Sequence, residues 1–152
     1  MTTQTSLVQL KPVQKNDSDF LLQIRNDPTS YSQFKNATPV SPHEHKQWFQ
    51  SQLQKSDPMI HVAWLGENRI GSVRMDSNNI ISVNLHADYR GKGHGTTVLR
   101  LAVDHFFQVN KAPFIIAHIK KNNTASIQAF QKAGFVFESE EDEFVHLKIK
   151  SN

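Results

Sequence analysis

The sequence predicts one domain built on a mixed α/β sheet with helices on both faces. Three observations point to it. Stretches of two-residue apolar period alternate with stretches of helical period along all 152 residues. Phe114 to Ile119 is a near-continuous apolar run of strand length, as expected of a strand covered on both sides. Helix starts and stops stand where the period changes. Ser41-Pro42-His43-Glu44 combines an N-cap serine, a proline at the first helical position and a capping-box glutamate.

The elements follow in order. Ser6 to Val13 reads as a first strand, with Pro12 suiting an edge or a strand end. Asp17 or Ser18 caps a short helix carrying Phe20, Leu21, Leu22 and Ile24, which ends before Pro28. Thr29 to Val40 is irregular, with a short turn around Tyr31 to Phe34. The Ser41 helix puts His45, Trp48, Phe49 and Leu53 on one face and stops at Ser56-Asp57-Pro58. Met59 to Leu65 and Arg69 to Asp76 flank the short loop Gly66-Glu67-Asn68 as a hairpin. Ile80 to His86 is the next strand, with Ile81, Val83 and Leu85 on one side and Ser82, Asn84 and His86 on the other. A long helix follows the glycine-rich Arg90 to Gly95 and runs to about Asn110. After the strand Phe114 to Ile119, Asn123 caps a helix that ends at Gly134. Phe135 to Phe137 and Phe144 to Ile149 close the chain as a strand pair around an acidic loop. We read 1–152 as a single domain.

Composition removes several functions. The chain has no cysteine, which excludes disulfides, thiolate metal sites and a cysteine nucleophile. No apolar run approaches the roughly 20 residues of a membrane span. Met1 to Ser6 has neither the basic nor the apolar stretch of a signal peptide, so a cytoplasmic protein is expected. The net charge is +3, and five of the 14 acids fall in 138–143. The basic residues are scattered rather than striped, so nucleic acid is not the expected partner.

His86-Ala87-Asp88-Tyr89-Arg90-Gly91-Lys92-Gly93-His94-Gly95 joins a strand to a helix. Three glycines let backbone N–H groups converge at a helix N-terminus, and Arg90 and Lys92 add charge; the result is an anion cradle. It is not a P-loop, because G-x-x-x-x-G-K-[ST] is absent, and in a G-x-G-x-x-G turn the third glycine would fall at Thr96.

A second motif, Asn123-Thr124-Ala125-Ser126-Ile127-Gln128-Ala129-Phe130-Gln131-Lys132-Ala133-Gly134-Phe135, follows the next strand. Together with Arg90-x-x-Gly93-x-Gly95 it resembles the GNAT superfamily of acyl-CoA-dependent N-acyltransferases. The resemblance implies a mostly antiparallel sheet splayed between its fourth and fifth strands. It implies acetyl-CoA as co-substrate and no metal. Arg90, Gly91, Lys92, Gly93, His94, Gly95 and Thr96 would hold the pyrophosphate. Ile81 to Leu85 would carry a bulge and pair with the pantetheine arm, and Leu85 N–H would face the thioester oxygen. Asn123 would touch the pantetheine or adenosine side. Where many members have a tyrosine acid, this chain has Phe130, which cannot donate a proton. Ser126, one turn earlier, is the substitute acid. Asn84 and His86 are the candidates for orienting or deprotonating the amine, with His118 on the following strand behind them.

Arg25-Asn26-Asp27-Pro28 and Ser41-x-x-x-His45-x-x-Trp48-Phe49 resemble bacterial amino-sugar N-acetyltransferases of nonulosonic-acid pathways. That implies a nucleotide-linked amino sugar as acceptor, with Arg25, His45 and Trp48 as its binding residues and His43 and Lys46 in support. The alternatives are a protein N-terminus or ribosomal protein, a polyamine, and an acetyl-CoA-binding module without turnover. A monomer or a homodimer fits either reading.

Overall fold

A computed structural model describes residues 7–55 and 59–151. In chain order the elements are β1 (Val8–Pro12), α1 (Ser18–Arg25), α2 (Pro28–Tyr31), α3 (Pro42–Leu53), β2 (Ile60–Leu65), β3 (Asn68–Met75), β4 (Ile81–Leu85), α4 (His94–Asn110), β5 (Phe114–Lys120), α5 (Thr124–Lys132), β6 (Val136–Glu141) and β7 (Phe144–Lys150). Short 3₁₀ turns occupy Lys15–Asp17 and Ala87–Tyr89.

The strands form two antiparallel sheets, β1-β2-β3-β4 and β5-β7-β6. They meet at one parallel bridge, Ile80↔Ile116, where the Ile116 N–H donates to Asn79 O at 2.9 Å. Beyond that point β4 and β5 separate. This is the splay the family resemblance implies, and among the described residues it leaves one edge of β4 without a strand partner.

Helices cover both faces. On one, the buried Val98, Leu99, Ala102, Val103 and Phe106 of α4 pack on Ala63, Ile70, Val73, Met75 and Ile81 of the larger sheet. The same core continues to Ile115, Ala117, Ile119 and Leu147 of the smaller sheet and to Phe130 of α5. On the other face, Leu21 and Ile24 of α1 and Phe49 of α3 cover Ile60 and Val62. β2 serves both cores, and residues 60–63 are therefore buried without interruption.

Four expectations need correction. Pro28–Tyr31 is a short helix rather than irregular chain; Asp27 caps it, its side chain accepting from Thr29 N–H at 2.9 Å. Asp27-Pro28 is the N-cap-plus-proline signal already legible at Ser41-Pro42. Most of the acidic segment is strand: β6 reaches Glu141, and the turn is only Asp142-Glu143, with Asp142 at φ 50°. An exposed edge strand carries such charges without desolvating them. The bulge expected within Ile81–Leu85 is absent, since β3 and β4 stay in register from Met75↔Ile81 to Gly71↔Leu85. Gly71 makes the unbroken close approach possible: a Cβ there would lie 2.6 Å from Asn84 O. The first strand begins at Val8; α3 ends at Leu53, and its expected stop at 56–58 lies outside the described residues, as does Ser6.

Candidate active site

The β3–β4 ladder fixes what the end of β4 presents. His86 N–H donates to Ile70 O at 2.8 Å. By antiparallel alternation Asn84 then pairs with Ser72 through backbone bonds, while Leu85, opposite Gly71, turns its N–H and carbonyl away from β3 toward the splayed side. The carbonyl is taken: Arg90 reaches back and donates to it from Nε at 3.1 Å and from Nη2 at 3.0 Å. The N–H is left to the open side.

Arg90 also ties α2 to this strand end. Nη1 donates to Thr29 Oγ1 at 2.7 Å and Nη2 to Ser30 Oγ at 2.6 Å. Ser30 Oγ donates to Asn84 Oδ1 at 2.9 Å, and Asn84 Nδ2 donates to Ile24 O at 3.0 Å. Arg90 and Asn84 are thus engaged within the protein. The Arg90 guanidinium is not a free charge in the anion cradle, contrary to expectation, because these carbonyl and hydroxyl acceptors already surround it.

The cradle itself is backbone. Gly91 has φ 74° and Gly93 φ 85°, values that favour glycine, and nothing lies within 4 Å of where a Cβ would sit. Gly93 is the N-cap of α4, with no side-chain cap and no acid in the first turn. The N–H groups of His94, Gly95 and Thr96 have no intrahelical acceptor by helix geometry, and the dipole there is uncompensated. An anion such as a pyrophosphate fits this end.

A cleft of about 490 Å³ joins the cradle to the strand end. Of the expected residues, Asn84, Leu85, Arg90, Gly91, Gly93, Gly95, Thr96, Asn123, Ser126 and Phe130 line it. Asn123 Oδ1 caps α5 by accepting from Ser126 N–H at 3.2 Å. Phe130 is 5% exposed and packs edge-on against Phe135 at 5.0 Å, a hydrophobic floor.

His86, Lys92, His94, Arg25, His45 and Trp48 are not in the lining. His86 Nδ1 accepts from Asp88 N–H at 3.1 Å and its ring stacks on Phe20. Lys92 Nζ donates to Asp88 O at 3.2 Å, and His94 rests against Tyr89. His45 is 5% exposed between Trp48 and Phe49 in the α1–α3 core, not on a binding surface. Arg25 lies over Phe34, itself a lining residue, at 5.1 Å, and donates to Thr38 O at 3.0 Å. Arg74 lies over Trp48 at 5.9 Å.

The lining also includes Thr29, Ser30, Gln33 and Phe34, which sequence reasoning missed because it treated 29–40 as irregular. A larger, open groove of about 920 Å³ runs between α4 and β6–β7; it gathers none of the expected residues.

Burial, and secondarily the Arg25 charge, push the His45 pKa below its ordinary value. His118 moves the same way, by burial and then by the His146 and Lys35 charges beside it. The unfolded chain therefore takes up protons at these sites before the folded one does. Their contribution to stability is complete above the ordinary histidine pKa of about 6.5 and is lost as pH falls below it. The melting temperature is expected to fall between pH 7 and pH 5, and His45→Phe to flatten that fall; an unchanged slope would show that His45 contributes none of it.

Residues 8–136 match the model for the acetyltransferase (GNAT) domain. The chain belongs to the GNAT acetyltransferase family. A mycothiol acetyltransferase from Corynebacterium glutamicum (strain R) is 31% identical over 94 residues, covering 56% of this chain and 32% of the relative. The chain thus spans about a third of the length of the relatives it matches. A Vibrio cholerae spermidine N-acetyltransferase, solved with CoA and spermine, superimposes with a TM-score of 0.82 at 17% identity, over 94% of this chain and 95% of the other. A domain from Methanocaldococcus jannaschii gives 0.81 at 22% identity, over 96% and 99%. At these identities the structural likenesses establish the GNAT fold. Among the described residues no helix is long and apolar enough to cross a membrane.

Proposed function

We propose that this GNAT domain transfers the acetyl group of acetyl-CoA directly to the primary amine of a small molecule, both substrates being bound together. The observation that carries the reading is the Leu85 N–H. It opens onto the cleft at a free strand edge, beside an uncapped helix N-terminus. The pantetheine arm would lie along the free edge of β4, and the pyrophosphate against the amides of His94, Gly95 and Thr96. Asn123 would border the arm.

In the reaction the neutral amine nitrogen attacks the acetyl carbon. A C–N bond forms, the C–S bond breaks, the nitrogen gives up one proton and the sulfur gains one. Leu85 N–H donates to the acetyl oxygen as negative charge develops there. Ser126 is the proposed donor to the sulfur, since Phe130 has no proton to give. A thiol pKa of about 8.5 makes that help modest. Asn84 is held by Ser30 and Ile24, and His86 lies outside the cleft lining.

The preferred acceptor is a nucleotide-linked amino sugar. Arg25 and Arg74 support it. Neither has a carboxylate within 4.0 Å among the described residues, and they are close enough for Arg74 to press the Arg25 pKa below its ordinary value, after burial. Phe34, which lines the cleft, lies beneath Arg25, and Trp48 lies beneath Arg74; together they make a cationic, aromatic wall. A diphosphate would neutralise the wall, whereas a polyamine would be repelled by it.

The test is thiol release from acetyl-CoA, read with a thiol-reactive dye against UDP-linked 4-amino sugars, N-terminal peptides, spermidine and aminoglycosides. The protein has no cysteine to give a background. The expected result is turnover that is highest with the amino-sugar nucleotide. Turnover with spermidine alone would overturn the acceptor. Silence with every amine, while acetyl-CoA still raises the melting temperature, would favour a binding module.

A further inference from the structure

We propose that the side-chain carbonyl of Gln33 receives a hydrogen bond from the acceptor amine and aims its lone pair at the acetyl carbon. The inference rests on the acetyl-transfer reading and adds the residue that positions the nucleophile.

Gln33 Oε1 is shut off from solvent and has no hydrogen-bond partner among the described residues, yet Gln33 lines the cleft that holds Leu85 and Ser126. A buried carbonyl oxygen without a donor is a standing cost to the folded chain, and such groups are rare. A ligand bearing an N–H in the cleft removes that cost.

The backbone position of Gln33 is also fixed. Gln33 N–H donates to Ser30 O at 3.0 Å. Ser30 is 5% exposed and held by both Asn84 and Arg90. Arg90 in turn holds the Leu85 carbonyl. One hydrogen-bonded chain therefore sets Gln33 relative to the Leu85 N–H, the proposed donor to the acetyl oxygen. Asn84, the sequence-based candidate for orienting the amine, already has its Oδ1 engaged by Ser30 and its Nδ2 by Ile24 O. Gln33 offers an acceptor that no protein donor engages among the described residues.

The chemistry suits an amide oxygen. A neutral amine keeps its lone pair for attack only if its neighbour accepts an N–H without taking the proton. Positive charge grows on nitrogen as the C–N bond forms, so the N–H···O bond strengthens toward the transition state. A carboxylate there would instead hold the amine as an ammonium.

Gln33→Met keeps the length and removes the acceptor. It is expected to lower kcat/KM for the best acceptor of the panel about tenfold, the worth of one hydrogen bond, with the affinity for CoA unchanged. Gln33→Glu keeps an acceptor and adds charge; the alkaline rise of kcat/KM is expected to move to higher pH, which a purely structural role would not produce. Wild-type kinetics in Gln33→Met, or an unmoved pH profile in Gln33→Glu, would overturn the assignment while leaving acetyl transfer intact. If the wild type turns over no amine, calorimetry of a UDP-linked 4-amino sugar on the CoA-loaded protein reads the same contact. Weaker binding by Gln33→Met supports it; equal binding, or none by either protein, overturns it.

Discussion

Gly71→Ala is expected to lower the melting temperature by about 5–10 °C and kcat/KM by about 100-fold. Gly71 has an ordinary strand conformation, so the cost is space rather than backbone strain. The new methyl would sit 2.6 Å from Asn84 O, 2.8 Å from Leu85 Cδ2 and 3.2 Å from Leu85 Cα. Two of those atoms are backbone and cannot rotate out of the way. The strands must part where Leu85 faces Gly71. Overpacking of this kind costs about 1–3 kcal/mol, and each kcal/mol shifts the melting temperature by roughly 2–4 °C at this chain length. The activity loss comes from moving the Leu85 N–H, since a displacement of about 1 Å in a reacting geometry costs on the order of 100-fold. Thermal melts and thiol release measure the two effects on one preparation. A variant with wild-type stability and rate would mean that the β3–β4 approach is not what sets the site.

Arg90→Ala is expected to lower kcat/KM by about 100-fold or more while changing the affinity for CoA little. Arg90 makes four charge-assisted bonds, two to Leu85 O and one each to Thr29 Oγ1 and Ser30 Oγ. Hydrogen bonds to a charged group are worth about 1.5–3 kcal/mol each, and removing this donor also leaves the Leu85 carbonyl unpaired. The strand end and the α2 turn lose their shared anchor, and Gln33 moves with it. Arg90→Lys should rescue little, because one ammonium cannot reproduce a fork that reaches three residues. Calorimetry with CoA alongside steady-state kinetics separates this role from pyrophosphate binding. A 100-fold weaker CoA affinity with kcat preserved would show that the guanidinium serves the cofactor after all.

Much of the fold was legible in local pattern. The Ser41-Pro42-Glu44 box does start α3: Ser41 Oγ accepts from Glu44 N–H at 3.1 Å. Asn123 does cap α5, and the glycine-rich stretch does lead into α4, which begins at His94, two residues earlier than expected. These signals act within four residues, so the sequence carries them whole. Asp27-Pro28 carries the same signal, but α2 is only four residues long and has no apolar period to mark it, so Thr29, Ser30 and Gln33 do not stand out as site residues in the sequence.

By itself the sequence determined the order of the elements other than α2, the apolar periods that assign each face, the glycine turn before α4 and the family. Each depends on near neighbours or on a motif of fixed spacing. Only the tertiary structure decided how the charges are used. Arg90 reads as a free cation in one dimension, and becomes a bridge once Leu85, five residues back, and Ser30, 60 residues back, come within 3.0 Å. His45 reads as a ligand on a helix face, and becomes core when Phe49 and α1 close over it. Burial and hydrogen-bond partners are set by contacts between segments distant in sequence, and those contacts fix whether a polar group faces the protein or the cleft.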